Sequence, residues 1–192
     1  RHGAGILPVM KSLMLLMAVV LVGCGKKEEA RKKLTSEETA EVIEKGIRKN
    51  IKKPSGALTE ADLEKVDELN LSGTHISDAG LKEVAKLKNL SVLYLHSNPI
   101  TDAGLKELTK LQKLKKLNLG WTQITDAGLK EVAKLKQLER LLLVDTQISD
   151  KGLKELAKLE RLILLQLNYT KVTKAGMMEL KKSLPKCNIS GR

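Results

Sequence analysis

From Ile76 onward the chain repeats itself every 24 residues without an insertion. The block "ISDAGLKEVAKLKNLSVLYLHSNP" is followed by "ITDAGLKELTKLQKLKKLNLGWTQ", "ITDAGLKEVAKLKQLERLLLVDTQ" and "ISDKGLKELAKLERLILLQLNYTK", which start at Ile76, Ile100, Ile124 and Ile148. A terminal unit covers 172–192, and upstream "LTEADLEKVDELNLSGTH", residues 58–75, fits the same pattern with its helical part shortened. A unit this short cannot bury its own apolar face, so it must stack on its neighbours, and about three are needed for stability. Four full and two partial units exceed that number. Within each, Leu117 and Leu119 alternate with Asn118 and Gly120, the period of a strand with one buried face. Leu105, Leu108 and Leu111 recur every three residues, the buried stripe of a short helix. The expected domain spans 57–192.

The spacing Leu114, Leu117, Leu119, Thr122, Ile124, an "LxxLxLxxTxI" pattern followed by "ITDAGLKEL", resembles the bacterial leucine-rich-repeat proteins. That resemblance implies an α/β solenoid: a curved right-handed array with a concave parallel β-sheet, convex short helices and leucines stacked between them. It also implies that Thr74, Asn98, Thr122, Thr146 and Thr170 form a buried hydrogen-bonding ladder in the turn after each strand.

Two other columns have plain explanations. Asp78, Asp102, Asp126 and Asp150 could suggest a metal or acid–base site, but each follows a Ser or Thr at a helix start. There a hydroxyl caps free N–H groups and a carboxylate suits the helix dipole. Lys174 in the fifth unit also argues against a shared ion. Glu83 with Lys86, Glu107 with Lys110, Glu131 with Lys134 and Glu155 with Lys158 are i,i+3 pairs on a solvated helix face. The formal charge of +12 comes mostly from such lysines. They lie on the side without aromatics, whereas nucleic-acid binding wants cations among stacking rings, so no nucleic-acid partner is expected.

The first 56 residues are of another kind. "MKSLMLLMAVVLVGC" opens at Met10 with one lysine, runs apolar from Leu13 to Val22 and ends in small residues at Cys24. A stretch of that length is too short for a transmembrane helix, which needs about twenty residues, and it has the form of a secretory signal. "LVGC" resembles the lipobox of bacterial lipoproteins, which implies a signal peptide over 10–23, lipidation of Cys24 and attachment to the membrane through that lipid. Gly25 at the next position favours the outer membrane in a Gram-negative cell. Residues 1–9 fit no signal and suggest a start assigned too far upstream. Residues 24–56 read as a charged tether, with a helix over about 36–51 announced by the capping box "TSEE" and by Ile43, Ile47 and Ile51. That helix either caps the open end of the solenoid or lies on the membrane, and an exposed array end favours the cap.

Nothing in the chain has the form of a catalytic motif: no nucleophile elbow, phosphate loop or paired-histidine helix occurs, and no cofactor or enzymatic activity is expected. Cys187 alternates inward with Ile189 and reads as a buried thiol. Strand alternation places Tyr94, His96, Arg140, Leu142 and Val144 outward on the concave sheet, with Trp121 and Tyr169 one step past their strands. All three aromatic residues of the chain fall there. Aromatics and arginine dominate binding hot spots, so these seven are the candidate ligand-binding residues and the expected partner is a protein or peptide. The plainer reading is that Trp121 folds over Gly120 and covers strand ends. An alternative function is a structural envelope protein whose lysine-rich convex face contacts anionic lipid or glycan.

Overall fold

A computed structural model describes residues 34–191; the expected signal peptide over 10–23, the expected lipidation site Cys24 and the residues before them lie outside the described residues. The elements alternate as the repeat requires. Helix α1 (Ser36–Ile51) comes first, then α2 (Glu60–Leu63), β1 (Glu68–Asn70), α3 (Asp78–Val84), β2 (Val92–Tyr94), α4 (Asp102–Leu108) and β3 (Lys116–Asn118). After them come α5 (Asp126–Val132), β4 (Arg140–Leu142), α6 (Asp150–Leu156), β5 (Leu164–Gln166), α7 (Lys174–Ser183) and β6 (Asn188–Ser190). All six strands are parallel and pair in sequence order, each with its equivalent 24 residues on, as in Leu69 with Leu93 and Leu117 with Leu141. The fold is the α/β leucine-rich-repeat solenoid, an open sheet on one side and short helices on the other.

The core is a stack of identical layers. Leu93, Leu117, Leu141 and Leu165 are fully buried beneath the sheet, and Leu81, Leu105, Leu129 and Leu153 meet them from the helices. At about 1.5–3 kcal/mol for each fully buried aliphatic side chain, this layer repetition is the main stabilising contribution. No aromatic ring is needed to fill it.

The aspartate column works between units as well as within them. Asp78 Oδ1 accepts from the Thr101 N–H at 2.9 Å, and the Thr101 hydroxyl donates to Oδ2 at 2.6 Å. The same two bonds join Asp102 to Thr125, Asp126 to Ser149 and Asp150 to Thr173. Each carboxylate stands in the first turn of its own helix, where it suits the dipole as expected, and both its oxygens are in addition taken by the neighbour's cap residue, one step short of a full repeat away. Thr101, Thr125 and Ser149 do cap their helices as expected, accepting from the N–H two residues on, but Ser77 makes no such bond. Lys174 stands in the fifth unit where no further carboxylate is called on within the described array. The Thr173 hydroxyl, with its N–H, holds Asp150 below the usual carboxylate range.

This rung explains the "DAG" spelling. A Cβ at Gly104, Gly128, Gly152 or Gly176 would collide with Oδ1 of the preceding unit's aspartate, which is fixed by its backbone hydrogen bond. In the first full unit no aspartate of the column precedes, and a Cβ on Gly80 would collide with Ile76 Cγ1 of its own unit and, from α1, meet Thr39 Cγ2 at 2.8 Å. Helix α1 thus packs on α3 and β1 in the place of a preceding repeat, burying Ile43 and Ile47. Its predicted capping box is present, with Thr35 Oγ1 accepting from Glu38 N–H and the Glu38 carboxylate from Thr35 N–H.

The link from α1 to the first unit is pinned by charge. Arg48 donates to the carbonyls of Lys53 and Gly56, and Lys53 Nζ reaches Asp62 at 2.6 Å. Asp62 is buried, and the Lys53 ammonium, the Thr59 N–H and hydroxyl, and Lys65 hold its carboxyl far below the usual range.

Candidate functional site

Each unit presents two outward side chains on its three-residue strand and a third outward position just past it, and then turns. The residue at the turn is in the left-handed region in every unit: Gly73 at φ 65°, Ser97 at 60°, Trp121 at 54°, Asp145 at 53° and Tyr169 at 60°. The N–H of the first four still donates to the following unit, as in Trp121 to the Val144 carbonyl at 2.7 Å. Neighbouring pairing therefore fixes a conformation that costs a residue with a Cβ about 1–2 kcal/mol. Only Gly73 occupies it without strain. A bulky ring there is an outlier, and two of the chain's three aromatics stand in this row.

Neither ring is used to fill the core. Trp121 is 51% exposed and Tyr169 75% exposed. Trp121 leans back across the sheet, meeting the His96 ring edge-on with centroids 6.2 Å apart. Gly120 beneath is buried for another reason: its missing side chain leaves 3.2 Å between a built Cβ and the Val144 carbonyl oxygen.

On β2 and β3 the outward polar groups bind each other. The Ser72 hydroxyl lies 2.8 Å and Asn118 Nδ2 3.1 Å from His96 Nδ1, while Asn118 Oδ1 accepts from the Gly120 N–H. Lys116 Nζ donates to the Tyr94 hydroxyl at 2.9 Å and lies 4.8 Å from the centre of its ring. His96 and Trp121 therefore form one connected group with Ser72 and Asn118, and Tyr94 with Lys116 forms a second. Arg140, Leu142 and Val144 follow on β4 and its extension, Arg140 exposed and the two aliphatics half-buried. Tyr169 is separate at the rim, two units beyond Trp121. Ile163, 46% exposed beside Leu164, was not among the candidates; it replaces the charged Lys115 and Glu139 of the two preceding units, a break in the repeat that marks it in the sequence.

The threonine column differs in part from the expected ladder. Thr74, Thr122, Thr146 and Thr170 each donate to the carbonyl three residues back in their own unit. Only Asn98 bridges units, donating to both Leu71 and Leu95 carbonyls. A hydroxyl is too short to span two strands, whereas a carboxamide can. The Asn98 Oδ1 is buried with no partner among the described residues.

The remaining reactive groups are structural. Cys187 is fully buried and burial pushes its thiol up, away from thiolate chemistry. The expected convex pairs form, Lys86 to Glu83 at 2.6 Å and Lys134 to Glu131 at 2.7 Å among them. Among the described residues no group of acidic, His or Cys side chains is arranged to hold a metal ion, and no helix is long and apolar enough to cross a membrane.

Comparison with known proteins gives a consistent description. The family model for the leucine-rich repeat matches residues 64–85, 86–108 and 110–133. No curated protein matches the chain. Among solved structures it is similar to internalin C2 of Listeria monocytogenes, at 20% identity and a TM-score of 0.49 over 79% of this chain and 92% of that one. It is also similar to a second Listeria monocytogenes internalin, at 21% identity and a TM-score of 0.44 over 77% of this chain. A leucine-rich-repeat protein of Leptospira interrogans is 30% identical over 57% of this chain, with a TM-score of 0.42. The chain spans 54% of the length of the second and 33% of the third. The chain carries leucine-rich repeats, which in general are non-catalytic scaffolds for protein–protein interaction.

Proposed function

We propose that these repeats serve as a non-enzymatic binding module whose open sheet face takes a protein or peptide ligand, in a lipoprotein held at the cell envelope through Cys24. The observation that carries the reading is the left-handed row. Two rings, Trp121 and Tyr169, stand where glycine would be free of strain, and both remain exposed. Strain of this kind persists where the surrounding structure enforces it, and it clusters at ligand-binding sites. Tyr94 and His96 on β2 and its extension, and Arg140, Leu142 and Val144 on β4 and its extension, widen the surface to either side of β3. Introducing a photoreactive residue at Tyr94, with a matched one at Lys106 on the helix side, tests it in intact cells. Crosslinks to a partner from position 94 and not from 106 are expected; the reverse pattern, or no dependence on position, would reject the sheet face. The anchor has its own test: Cys24→Ser should move the chain out of the membrane fraction.

A second reading has one observation behind it. Lys82, Lys106, Lys130 and Lys154 form a column on the helix side with no ion pair at contact distance among the described residues, although Glu107 and Glu155 are held below the usual carboxylate range by Lys110 and Lys158 first and then by Lys82 and Lys130. Such a column suits an anionic lipid or glycan surface. Attachment by it should weaken steeply as salt rises, whereas attachment through the aromatic face should not.

A further inference from the structure

The sheet face has two halves that differ in what their side chains have left to offer. On β1 to β3 the polar groups other than the exposed Glu68 are engaged with their neighbours. The Gly120 N–H occupies Asn118 Oδ1, so Nδ2 faces the imidazole as a donor, His96 Nδ1 accepts, and the ring proton sits on Nε2. Ser72 donates to the same nitrogen, and the Ser72 N–H is itself taken by Asn70 Oδ1 at 3.0 Å. The Lys116 ammonium is held by Tyr94. On β4 and β5 the situation reverses. Arg140, Gln166 and Asn168 make no side-chain hydrogen bond or ion pair among the described residues, and Leu142, Val144 and Leu164 lie between them without a cover.

Among the described residues Arg140 is thus a cation of the face without a side-chain partner, and its place in the register says what would meet it. One strand and its extension present Arg140, Leu142 and Val144 on the same side, at about 6.6–6.8 Å intervals. Lys116 lies across from Arg140 on β3 and Leu164 on β5. At the opposite end of the same strand, past Val144, stands the exposed carboxylate of Asp145. An extended chain laid along β4 has this same two-residue period. It would therefore meet a cation, an aliphatic, an aliphatic and then an anion.

We infer that the β4–β5 half of the sheet face binds an extended segment of a partner protein that reads acidic, any residue, aliphatic, any residue, aliphatic. The acid pairs with Arg140, where a guanidinium accepts a carboxylate through two parallel hydrogen bonds. The two aliphatic side chains cover Leu142 and Val144. Asp145 disfavours a second acid at the far end by like-charge repulsion, which fixes which end of the segment carries the charge. The engaged half, with His96 and Trp121, forms a rigid wall beside it. This inference rests on the proposal that the sheet face is the ligand-binding surface.

Selection of random linear peptides against the full chain tests it. Wild-type protein is expected to enrich Asp or Glu two residues from one aliphatic position and four from another. Arg140→Glu should enrich Lys or Arg in place of the acid. Of two synthetic probes, Asp-Gly-Leu-Ser-Leu and Lys-Gly-Leu-Ser-Leu, the wild type should prefer the first by about tenfold and Arg140→Glu the second. Enrichment without an acid, the same peptides on Arg140→Glu, or no enrichment at all would overturn the inference. Trp121→Ala separates the two levels of the argument. If it abolishes enrichment while Arg140→Glu leaves it unaltered, the sheet face still binds and the acidic requirement is wrong; if neither changes the peptides selected, both fall.

Discussion

On the helix side each unit copies the last: Asp, then a cap residue one unit on, then a glycine that leaves room for the carboxylate, then a Glu–Lys pair. On the sheet side no two units agree. The row that begins Glu68 continues Val92, Lys116, Arg140, Leu164, and the left-handed row runs Gly73, Ser97, Trp121, Asp145, Tyr169. What repeats here is joinery, because every unit faces the same neighbour. What varies is free of that duty. The difference locates the candidate surface better than any single residue does.

The sharpest way to break the comparison is to damage the joinery alone. Gly128→Ala would ordinarily help a helix by about 1 kcal/mol. Here its methyl group would meet Asp102 Oδ1 and Leu105 Cδ1, so a loss of about 2–3 kcal/mol in urea denaturation is expected, with ligand binding by the folded fraction unchanged. Asp102→Ala alone should cost about 2 kcal/mol, and in that background Gly128→Ala should cost much less, since the blocking oxygen is gone.

The opposite experiment removes a varied residue. Trp121→Gly relieves the left-handed strain and should raise stability by about 0.5–1 kcal/mol by calorimetry, while lowering affinity for the ligand at least tenfold. A fall in stability would mean that the contact with His96 outweighs the strain.

A third region qualifies the rule, because Asp62 belongs to no column and is nevertheless structural. Its folded-state pKa is depressed by the Lys53 ammonium first and Thr59 next. The stability it contributes is therefore fully present above its unfolded value of about 3.9 and is lost as pH falls from there through the folded value. The urea midpoints of wild type and Asp62→Asn should differ at pH 7 and converge below about pH 4. The smallest effect belongs to the helix-face pairs. Lys110→Ala should change stability by no more than about 0.5 kcal/mol, and by nothing measurable in high salt.

Much of this was legible in the sequence. The period, the strand alternation, the span of α1 and its capping box, and the salt-bridged Glu–Lys pairs follow from local spacing, and the structure has them. The direction of the aspartate rung was not legible that way, because Asp102 and Thr125 are 23 residues apart and become neighbours only once the units are stacked. Nor was the pairing of His96 with Ser72 and Asn118 visible, although alternation puts His96 and Asn118 on one face. Alternation says which side of a sheet a residue occupies. It does not say that Lys116 will be held by Tyr94 while Arg140 is left alone.

A chain of interchangeable tiles has a natural hazard, which is to keep adding tiles from other molecules. The aspartate rung has a direction, each unit offering its carboxylate forward to the next cap residue, and at Lys174 an ammonium takes the place of the acceptor. At the other end α1 already occupies the position from which an incoming rung would reach Ser77. The device that holds the units in line therefore has a polarity, and a unit presented at the Ser77 side or beyond Lys174 would lack this fastening.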